Sequence, residues 1–229
     1  MCASTMQSFS QDNSSGAGKY ALLRTQLDSL YQSDQKFRFQ LISLQQEVAK
    51  ATGDEKQRKQ ETFAGMVKAI RAQDSVNVRT VQDILDKYGW LGPEDVGFNG
   101  SQALFLVIQH ADLPTQEKYL PMIRDAAQHG RTLPSNLAIL EDRVALRQHK
   151  RQIYGSQVWT DLRTGKKYVD LLDDPDSVDK RRAAVGLPPM ADYLSQFFQI
   201  KWDPTEYKQV ILPELLRIRE EQAQTKKTN

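Results

Sequence analysis

The first block of residues that could perform acid–base chemistry follows an apolar stretch in the middle of the chain. Gln109, His110 and Asp112 come directly after residues 103–108, all of which are apolar. A buried amide, imidazole or carboxylate costs on the order of a few kcal/mol when unpaired, so each needs a partner. A histidine followed two residues later by a carboxylate can act as a general base with its orienting group, or supply two metal ligands. The block predicts a polar site inside the fold, and a structural hydrogen-bond network at helix ends is the competing interpretation.

The second block, Asp142 and Arg143, lies in a helix predicted over residues 135–150. On an ideal helix Arg143 borders the apolar stripe around Leu140, whereas Asp142 points away from it. An arginine in that position can pair with a buried carboxylate such as Asp112, or present its planar guanidinium group to an anionic ligand. The sequence leaves both interpretations open.

The third block compresses two amides, a phenol, a hydroxyl and a glycine into residues 152–157. Gly155 has no side chain, so the backbone of such a turn can approach a ligand closely. The segment can equally serve only to join a helix to the hairpin that follows. Ser156 lacks the G-x-S-x-G pattern of an acyl-serine elbow, so that mechanism has no support. Arg181 and Arg182 come later; they can bind a phosphate or carboxylate group, or belong to a solvated face or to structural ion pairs.

Together these blocks define the candidate site. If it is catalytic, His110 is the expected base, Asp112 the group that orients it and Tyr154 a proton donor. The residues expected to bind a ligand are Gln109, Asp142, Arg143, Gln152, Gln157, Arg181 and Arg182. The spacing of His110, His129 and His149 matches no compact ligand motif, so neither a metal nor a cofactor is predicted. Metal binding through His110 and Asp112 is the minority alternative.

The composition is that of a globular protein without a dedicated nucleic-acid surface. The 229 residues are 39% hydrophobic and 26% charged, which suits a chain that buries a continuous core. Lys and Arg total 31 against 29 Asp and Glu, so the long-range field is weak and nucleic-acid binding is not expected. The single cysteine, Cys2, excludes an intramolecular disulfide and a thiolate zinc cluster. No apolar run approaches the roughly 18 residues of a membrane-spanning helix.

The elements that must position the blocks are mainly helical. Apolar residues recur at three- and four-residue steps through most of the first 90 positions, which predicts long helices. Asp74 or Ser75 is expected to cap a third helix, and residues 103–108 are expected to form a wholly buried one. Two β-prone segments around the turn at residues 163–165 predict a small hairpin near residues 157–172.

We therefore expect a mainly α, single-domain, bundle-like array of helices with one small β-hairpin. The domain is expected to cover residues 19–222, between a disordered lead or signal-peptide remnant at residues 1–18 and a frayed tail at residues 223–229.

The N-terminal lead is the feature that bears on localisation. Ser8 and Ser10 occupy the −3 and −1 positions of a signal-peptidase site before Gln11, so the lead is either part of an export signal or an ordinary polar start. Lipidation of Cys2 is a related alternative. We expect a periplasmic or secreted protein. A cytoplasmic protein is the alternative.

The order of the polar blocks resembles an uncharacterised bacterial domain family of unknown function, over roughly residues 22–193. The resemblance rests on Gly89-Trp90, Val96-Gly97, Gln109-His110-Ala111-Asp112, Asp142-Arg143, Gln152-x-Tyr154-Gly155-Ser156-Gln157, Arg181-Arg182 and Gly186-Leu187. The Q-H-A-D and Y-G-(T/S)-Q blocks are fairly specific together, and Ser156 stands where the family pattern has threonine. The resemblance implies that the blocks belong to one site but implies no reaction. It favours export, because members often look exported in Bacteroidetes-type bacteria.

The expected function is a buried polar pocket that binds a small polar or anionic ligand. A hydrolase or group transferase that uses His110 is a further option. A non-catalytic interaction or structural protein of the cell envelope is the alternative. The sequence does not decide between an enzyme and a binding protein, and it does not specify the oligomeric state.

Overall fold

The computed structural model describes residues 18–161 and 164–227, and helices dominate this part of the chain. The structure is 75% helical with a small antiparallel sheet, so the prediction of a mainly α fold is confirmed. The helices are α1 (Ala21–Lys50), α2 (Gly53–Tyr88), α3 (Pro93–His110), α4 (Leu113–Gln128), α5 (Pro134–Arg147), α6 (Val178–Ala184), α7 (Met190–Phe198), α8 (Pro204–Glu206) and α9 (Leu212–Lys227). The remaining elements are strands β1 (Val158–Thr160) and β2 (Lys167–Val169), a 3₁₀ turn (Pro175–Ser177) and a π-helical turn (Tyr207–Ile211).

The chain divides into two compact units. The first comprises the described part of Met1–Ala72 together with Leu91–Leu104, and the second comprises Gln73–Trp90 together with the described part of Phe105–Asn229. All of the candidate site residues lie in the second unit. The expectation of a single domain over residues 19–222 stays a prediction.

In the first unit, the long helices bury a narrow apolar stripe that includes Leu27, Leu30 and Ile70. Such a stripe forms because residues three and four apart lie on the same face of a helix. Helix α3 has a kink at Gly97, where φ is 75° and ψ is 167°. A Cβ at this position would lie 3.0 Å from Nη2 of Arg24, so both the backbone conformation and the available space favour glycine.

Helix α2 overturns one expectation drawn from the sequence. The prediction that Asp74 or Ser75 caps a separate helix is wrong, because α2 runs without a break from Gly53 to Tyr88. Along its surface, Nε2 of Gln73 donates to Oδ1 of Asn77 at 2.9 Å, one helical turn away. Residue types that favour caps are overridden here because neither proline nor glycine interrupts the helix near them.

In the second unit, α4 and α5 pack against each other, with Ile123 and Leu140 fully buried. Full burial of such a side chain contributes about 1.5–3 kcal/mol. A further apolar cluster joins β2, α6, α7 and the π turn. Its buried members are Val169, Leu172, Val178, Met190, Leu194 and Tyr207. These two groups of apolar residues hold the elements that carry the candidate site.

The predicted hairpin is present, although it is shorter than the β-prone segments. Strands β1 and β2 are antiparallel, with Val158 opposite Val169 and Trp159 opposite Tyr168. The rings of Trp159 and Tyr168 stack with their centroids 5.8 Å apart, as expected of a cross-strand aromatic pair. Residues 162 and 163, which belong to the predicted turn region, lie outside the described residues.

The structure tests only part of what the sequence predicts for the two termini. The Ser8–Gln11 junction, Cys2 and the rest of the lead before Gly18 lie outside the described residues. At the other end, helix α9 extends to Lys227, beyond the start of the tail predicted from residue 223. Within the described residues, no helix combines the length and the apolarity needed to cross a membrane.

Candidate functional site

The polar loop, residues 152–157, is held by the side chain of Asp142 on α5. Asp142 is fully buried. Its Oδ1 accepts hydrogen bonds from the backbone N–H groups of Ile153 (2.8 Å) and Tyr154 (3.0 Å), and its Oδ2 accepts one from Ser156 at 2.9 Å. Three donors compensate the buried carboxylate, because charge-assisted hydrogen bonds are strong where water is excluded. Asp142 therefore fixes the conformation of the polar loop.

Gln152 closes the polar loop and ties it to the segment after β2. Its side chain is fully buried. Nε2 donates to the carbonyl oxygens of Gln157 and Asp170, both at 3.0 Å, and Oε1 accepts from the backbone N–H of Gln157 at 2.9 Å. The backbone of Gln152 also forms a parallel bridge with Leu172. The side chain of Gln157 donates to Oγ of Ser156 at 2.9 Å. Both amides of the loop are thus engaged in its own structure.

Arg181 on α6 binds carbonyl oxygens at the start of the polar loop and near the 3₁₀ turn. Its Nε donates to the carbonyl of Ile153 at 2.6 Å, and its Nη2 donates to the carbonyls of Asp173 and Asp174, both at 2.7 Å. Its Nη1 also lies 3.1 Å from the Asp174 carboxylate, which completes an ion pair. Arg181 therefore links the loop to the turn that precedes its own helix.

Arg182 and Tyr193 bind two further carbonyl groups of the polar loop. Arg182, which is 1% exposed, donates from Nη1 to the carbonyl of Tyr154 at 2.7 Å and from Nε to that of Pro188 at 2.6 Å. The hydroxyl of Tyr193 donates to the carbonyl of Ser156 at 2.7 Å. The Arg182 guanidinium carbon lies 4.7 Å from the centroid of the Tyr193 ring, a cation–π contact. Side chains from α5, α6 and α7 thus converge on one loop.

Gly155 allows the backbone of the polar loop to pack closely against α7. Its φ is 66°, in the left-handed region that glycine adopts without steric cost. A Cβ there would lie 2.8 Å from both Sδ and Cε of Met190. The backbone of the loop therefore packs directly against the side chain of Met190.

The end of α3 is held by side chains from α4 and α5. Gln116, which is fully buried, donates from Nε2 to the carbonyls of Gln109 (2.8 Å) and Ile108 (3.3 Å). Its Oε1 accepts from Nη1 of Arg147 at 2.9 Å. Nη1 of Arg143 donates to the same Gln109 carbonyl at 3.2 Å. These contacts satisfy carbonyl groups that a helix C-terminus leaves without intrahelical partners.

The side chain of Gln109 contrasts with this well-paired backbone. It is 3% exposed, and within the described residues neither Nε2 nor Oε1 has a hydrogen-bond partner. Among the same residues, Nη2 of the buried Arg182 also has none. Buried polar groups are rarely left unpaired in folded proteins, so each of these two side chains has hydrogen-bonding capacity that a ligand could use.

The charges that act on Tyr193, together with the contact between Arg143 and the Gln109 backbone, define a group of residues that we name the polar centre: Gln109, Asp142, Arg143, Arg182 and Tyr193. Burial raises the pKa of the Tyr193 phenol, the positive charges of Arg182 and Arg143 lower it, and the negative charge of Asp142 raises it. Both arginines therefore act on one phenol, and Arg143 also contacts the Gln109 backbone. The polar centre thus contains two guanidinium groups and one carboxylate whose charges act on one phenol, and Arg143 links them to Gln109 through its backbone carbonyl.

The three residues predicted to be catalytic occupy different positions. His110 ends α3 and is half-buried, with a buried Nδ1. Asp112 is exposed and caps α4, where Oδ1 accepts from the backbone N–H of Thr115 at 3.0 Å. Hydrogen bonds with Thr115 lower the pKa of Asp112. Burial, followed by the charges of Glu141 and Asp142, raises the pKa of Tyr154, so its phenol stays protonated at neutral pH.

Sequence reasoning did not select Gln116 or Tyr193. Gln116 had a detectable signal, because it precedes Tyr119, Leu120 and Ile123 at helical spacing on the face of α4 that is buried. A glutamine on such a stripe needs hydrogen-bond partners inside the fold. Tyr193 had no comparable signal, because it belongs to an aromatic stretch that is typical of a core helix.

A surface groove of about 440 Å³ adjoins the polar loop. Its walls are Leu120, Arg124, Glu141, Asp142, Val144, Ala145, Gln148, Lys150, Arg151 and Ile153. Of the predicted site residues, Asp142 alone lines this groove. Nε of Arg124 lies 2.8 Å from the Glu141 carboxylate, so part of its charge is paired. The groove and the polar centre therefore have Asp142 in common.

The structure also bears on the metal alternative. Among the described residues, no group of three or more His, Cys, Asp or Glu side chains is placed to hold a metal ion. Binding through His110 and Asp112 therefore lacks a third protein ligand of this kind in that part of the chain.

Comparison with known proteins places the chain in a family. Residues 27–200 match a protein family of unknown function, DUF6624. No curated protein and no solved structure matches the chain. The match spans more than half of the 229 residues, and it includes the whole region that holds the polar centre and the polar loop. The chain therefore belongs to the family of unknown function DUF6624.

Proposed function

We propose that the protein binds a small molecule carrying a carboxylate or phosphate group at the polar centre. The observation that carries this proposal is the Gln109 amide, which is 3% exposed and has no hydrogen-bond partner for either atom within the described residues. An unsatisfied buried group of this kind costs about 1–3 kcal/mol. A ligand that pairs with the amide would recover that free energy on binding.

The charges of the polar centre favour an anion. Arg143 and Arg182 carry two positive charges, and the one negative charge of Asp142 is already compensated by three backbone donors. Nη2 of Arg182 is a buried donor that finds no acceptor among the described residues. Guanidinium groups bind carboxylate and phosphate oxygens in well-defined geometry. Because the donors are buried, we expect a small ligand.

The proposal is tested by the thermal stability of the protein in sodium acetate or sodium phosphate, with sodium chloride used to hold ionic strength constant. A bound ligand stabilises the folded state by mass action, by about 2.7 kcal/mol at a hundred times its Kd. We expect Tm to rise and to saturate with acetate, phosphate or both. In Gln109→Met this rise should be lost, because methionine keeps the unbranched shape but supplies no amide.

The matched control is Gln128→Met, which changes an exposed glutamine of α4 in the same way. This variant should keep the anion-dependent rise in Tm. An equal rise in wild type and Gln109→Met would contradict binding at the polar centre. Binding there is also contradicted if neither anion stabilises the wild-type protein more than chloride does.

Hydrolysis or group transfer with His110 as the base is a second candidate. It is favoured by the position of His110 directly after Gln109 and by the raised pKa of Tyr154, which keeps that phenol available as a proton donor. Asp112, the group expected to orient His110, accepts a hydrogen bond from the backbone N–H of Thr115 as the cap of α4. Turnover of p-nitrophenyl acetate or p-nitrophenyl phosphate that is lost in His110→Gln, with an unchanged helical spectrum, would support catalysis. Turnover that survives this substitution would contradict it.

A non-catalytic protein of the cell envelope is the alternative to a ligand-binding one, and it is supported by the many side chains that bind the polar loop internally. For either function we propose export to the periplasm or the exterior, on the basis of Ser8 and Ser10 before Gln11. N-terminal sequencing of the protein from its native host tests this. A mature protein that begins at Gln11 outside the cytoplasm is the expected result, and a cytoplasmic protein that keeps residues 1–10 would contradict it.

A further inference from the structure

A second cavity, the aromatic pocket, shares no lining residue with the polar centre and lies between β2 and the segment that leads into the π turn. Its volume is about 140 Å³. It is lined by Lys166, Lys167, Tyr168, Val169, Ile200, Lys201, Trp202, Asp203, Glu206, Tyr207 and Ile211. None of these residues belongs to the polar blocks that the sequence singles out.

Part of the wall of the aromatic pocket is apolar. Val169 and Tyr207 are buried, and the rings of Trp202 and Tyr207 contact each other with centroids 5.6 Å apart. The Tyr207 hydroxyl donates to the carbonyl of Asp170 at 3.0 Å and accepts from the backbone N–H of Leu172 at 2.7 Å. These two bonds fix the tyrosine ring, which therefore presents a preformed surface to the pocket.

The helix beside the aromatic pocket departs from regular geometry. Residues Tyr207–Ile211 form a π-helical turn, and both of its end residues line the cavity. Single π turns inside helices are rare and are frequently found at functional sites. The turn is thus a second observation, independent of the cavity itself, that points to binding here.

The rim of the aromatic pocket is predominantly positive. Lys166, Lys167 and Lys201 line it, and within the described residues none of the three forms an ion pair with a carboxylate. Of the two acidic lining residues, Asp203 is engaged as a cap, accepting from the backbone N–H groups of Thr205 (2.8 Å) and Glu206 (3.0 Å). The same backbone hydrogen bonds and, after them, the charge of Lys201 lower the pKa of Asp203. Lys166 and Lys167 make cation–π contacts with the rings of Tyr168 (4.9 Å) and Phe198 (5.9 Å). These contacts leave the ammonium groups positively charged, so they attract an anionic substituent at the rim.

We propose that the aromatic pocket binds a small aromatic carboxylate, with its ring against Trp202 and Tyr207 and its carboxylate at the lysine rim. The size is suitable, because an apolar protein cavity of roughly 150 Å³ takes up benzene. The aromatic surface favours a flat ring, since stacked and edge-to-face contacts contribute beyond the area they bury. The lysine ammonium groups favour a negative substituent at the open side.

The experiment is a titration of ¹⁵N-labelled full-length protein with sodium benzoate, followed by the indole N–H cross-peaks. The chain has three tryptophans, so the spectrum contains three such cross-peaks. The one that disappears in Trp202→Phe belongs to Trp202. We expect this cross-peak to shift saturably with benzoate. Benzyl alcohol, which has the ring without the charge, and acetate, which has the charge without the ring, should bind at least about tenfold more weakly.

Two variants show whether the ligand is in the proposed place. Ile211→Phe fills the cavity from its half-buried wall and should abolish the benzoate shift. Lys201→Gln should weaken benzoate binding about fivefold, while Lys208→Gln should leave it unchanged, because Lys208 pairs with Asp176 and does not line the pocket. Benzyl alcohol binding as tightly as benzoate, an unchanged Kd in Lys201→Gln, or no shift with benzoate would each overturn the proposal.

Discussion

Gln109 and Gln152 show how much the meaning of a buried polar residue depends on its partners. Both side chains are almost completely shielded from water, at 3% and 0% exposure. Gln152 makes three hydrogen bonds that close the polar loop, whereas the Gln109 amide makes none within the described residues. The first residue stabilises the fold, and the second carries a cost that a ligand at the polar centre would offset.

This contrast predicts opposite effects of the same substitution. Gln109→Met should leave the free energy of unfolding unchanged or raise it by about 1 kcal/mol, because an unsatisfied amide is replaced by an apolar group of similar shape. Gln152→Met should lower it by about 2–4 kcal/mol, since three backbone groups lose their partner. Urea unfolding in chloride buffer measures both. Equal destabilisation by the two substitutions would show that Gln109 is paired in the folded protein.

The role of Asp112 as the cap of α4 predicts that its contribution to the free energy of unfolding depends on pH. Its pKa is lowered from 3.8 in the folded state, so its contribution is present above that value and is lost as pH falls through the folded pKa. Asp112→Ala should therefore cost about 1 kcal/mol at neutral pH and progressively less in acid. Asp112→Ser, which keeps a neutral cap, should show little pH dependence of its own. An Asp112→Ala deficit that is constant from pH 7 to pH 2 would contradict this role.

At the scale of elements, the polar loop is a rigid junction rather than a simple connection. Side chains from α5, α6 and α7 bind its backbone, while Gly155 packs against Met190. A loop held in this way positions the neighbouring guanidinium groups of the polar centre with little freedom. Such support is what a binding site needs if its donors are to be placed before a ligand arrives.

The anchoring role of Asp142 predicts that Asp142→Asn loosens the polar loop. The substitution replaces one accepting oxygen with an NH₂ group, so a donor faces a backbone N–H and the free energy of unfolding should fall by about 2–4 kcal/mol. Hydrogen exchange at Ile153, Tyr154 and Ser156 should accelerate more than exchange in α4. The control is Glu141→Gln on the same helix, which should leave exchange in the loop unchanged. Unaltered loop protection in Asp142→Asn would refute the anchoring role.

At the scale of the whole molecule, the part of the fold that could be predicted was the secondary structure that follows from periodic patterns of apolar residues. Helices and the hairpin could be predicted because apolar spacing and turn residues report directly on local structure. The continuation of α2 through Asp74 and Ser75 could not, because these residue types fit both a cap and an exposed helical position. Of the polar centre, Gln109, Asp142, Arg143 and Arg182 stand out in the sequence, whereas Tyr193 does not, and the pairing of these residues could not be predicted. An ideal helix places Asp142 away from the apolar stripe, and only the folded loop shows what it binds.

The alkaline stability of the molecule depends on Tyr207. Burial raises its pKa from 10.0 to about 12 in the folded state. The contribution of this residue is therefore fully present below pH 10 and is lost as pH rises through 12, by up to about 3 kcal/mol. Tyr207→Phe should be less stable at pH 8, where the Leu172 N–H loses its acceptor, yet should lose less stability between pH 10 and 12. Parallel stability curves for wild type and variant would contradict this assignment.

The proposed binding of a carboxylate or phosphate group is tested most directly by the side-chain amide resonance of Gln109. This cross-peak is assigned by its loss in Gln109→Met and followed while ¹⁵N-labelled protein is titrated with acetate or phosphate at constant ionic strength. We predict a saturable shift of this amide with at least one of the two anions, because its donor gains an acceptor. An amide resonance that stays in place, or that moves equally with chloride, would contradict the assignment of the polar centre as the binding site.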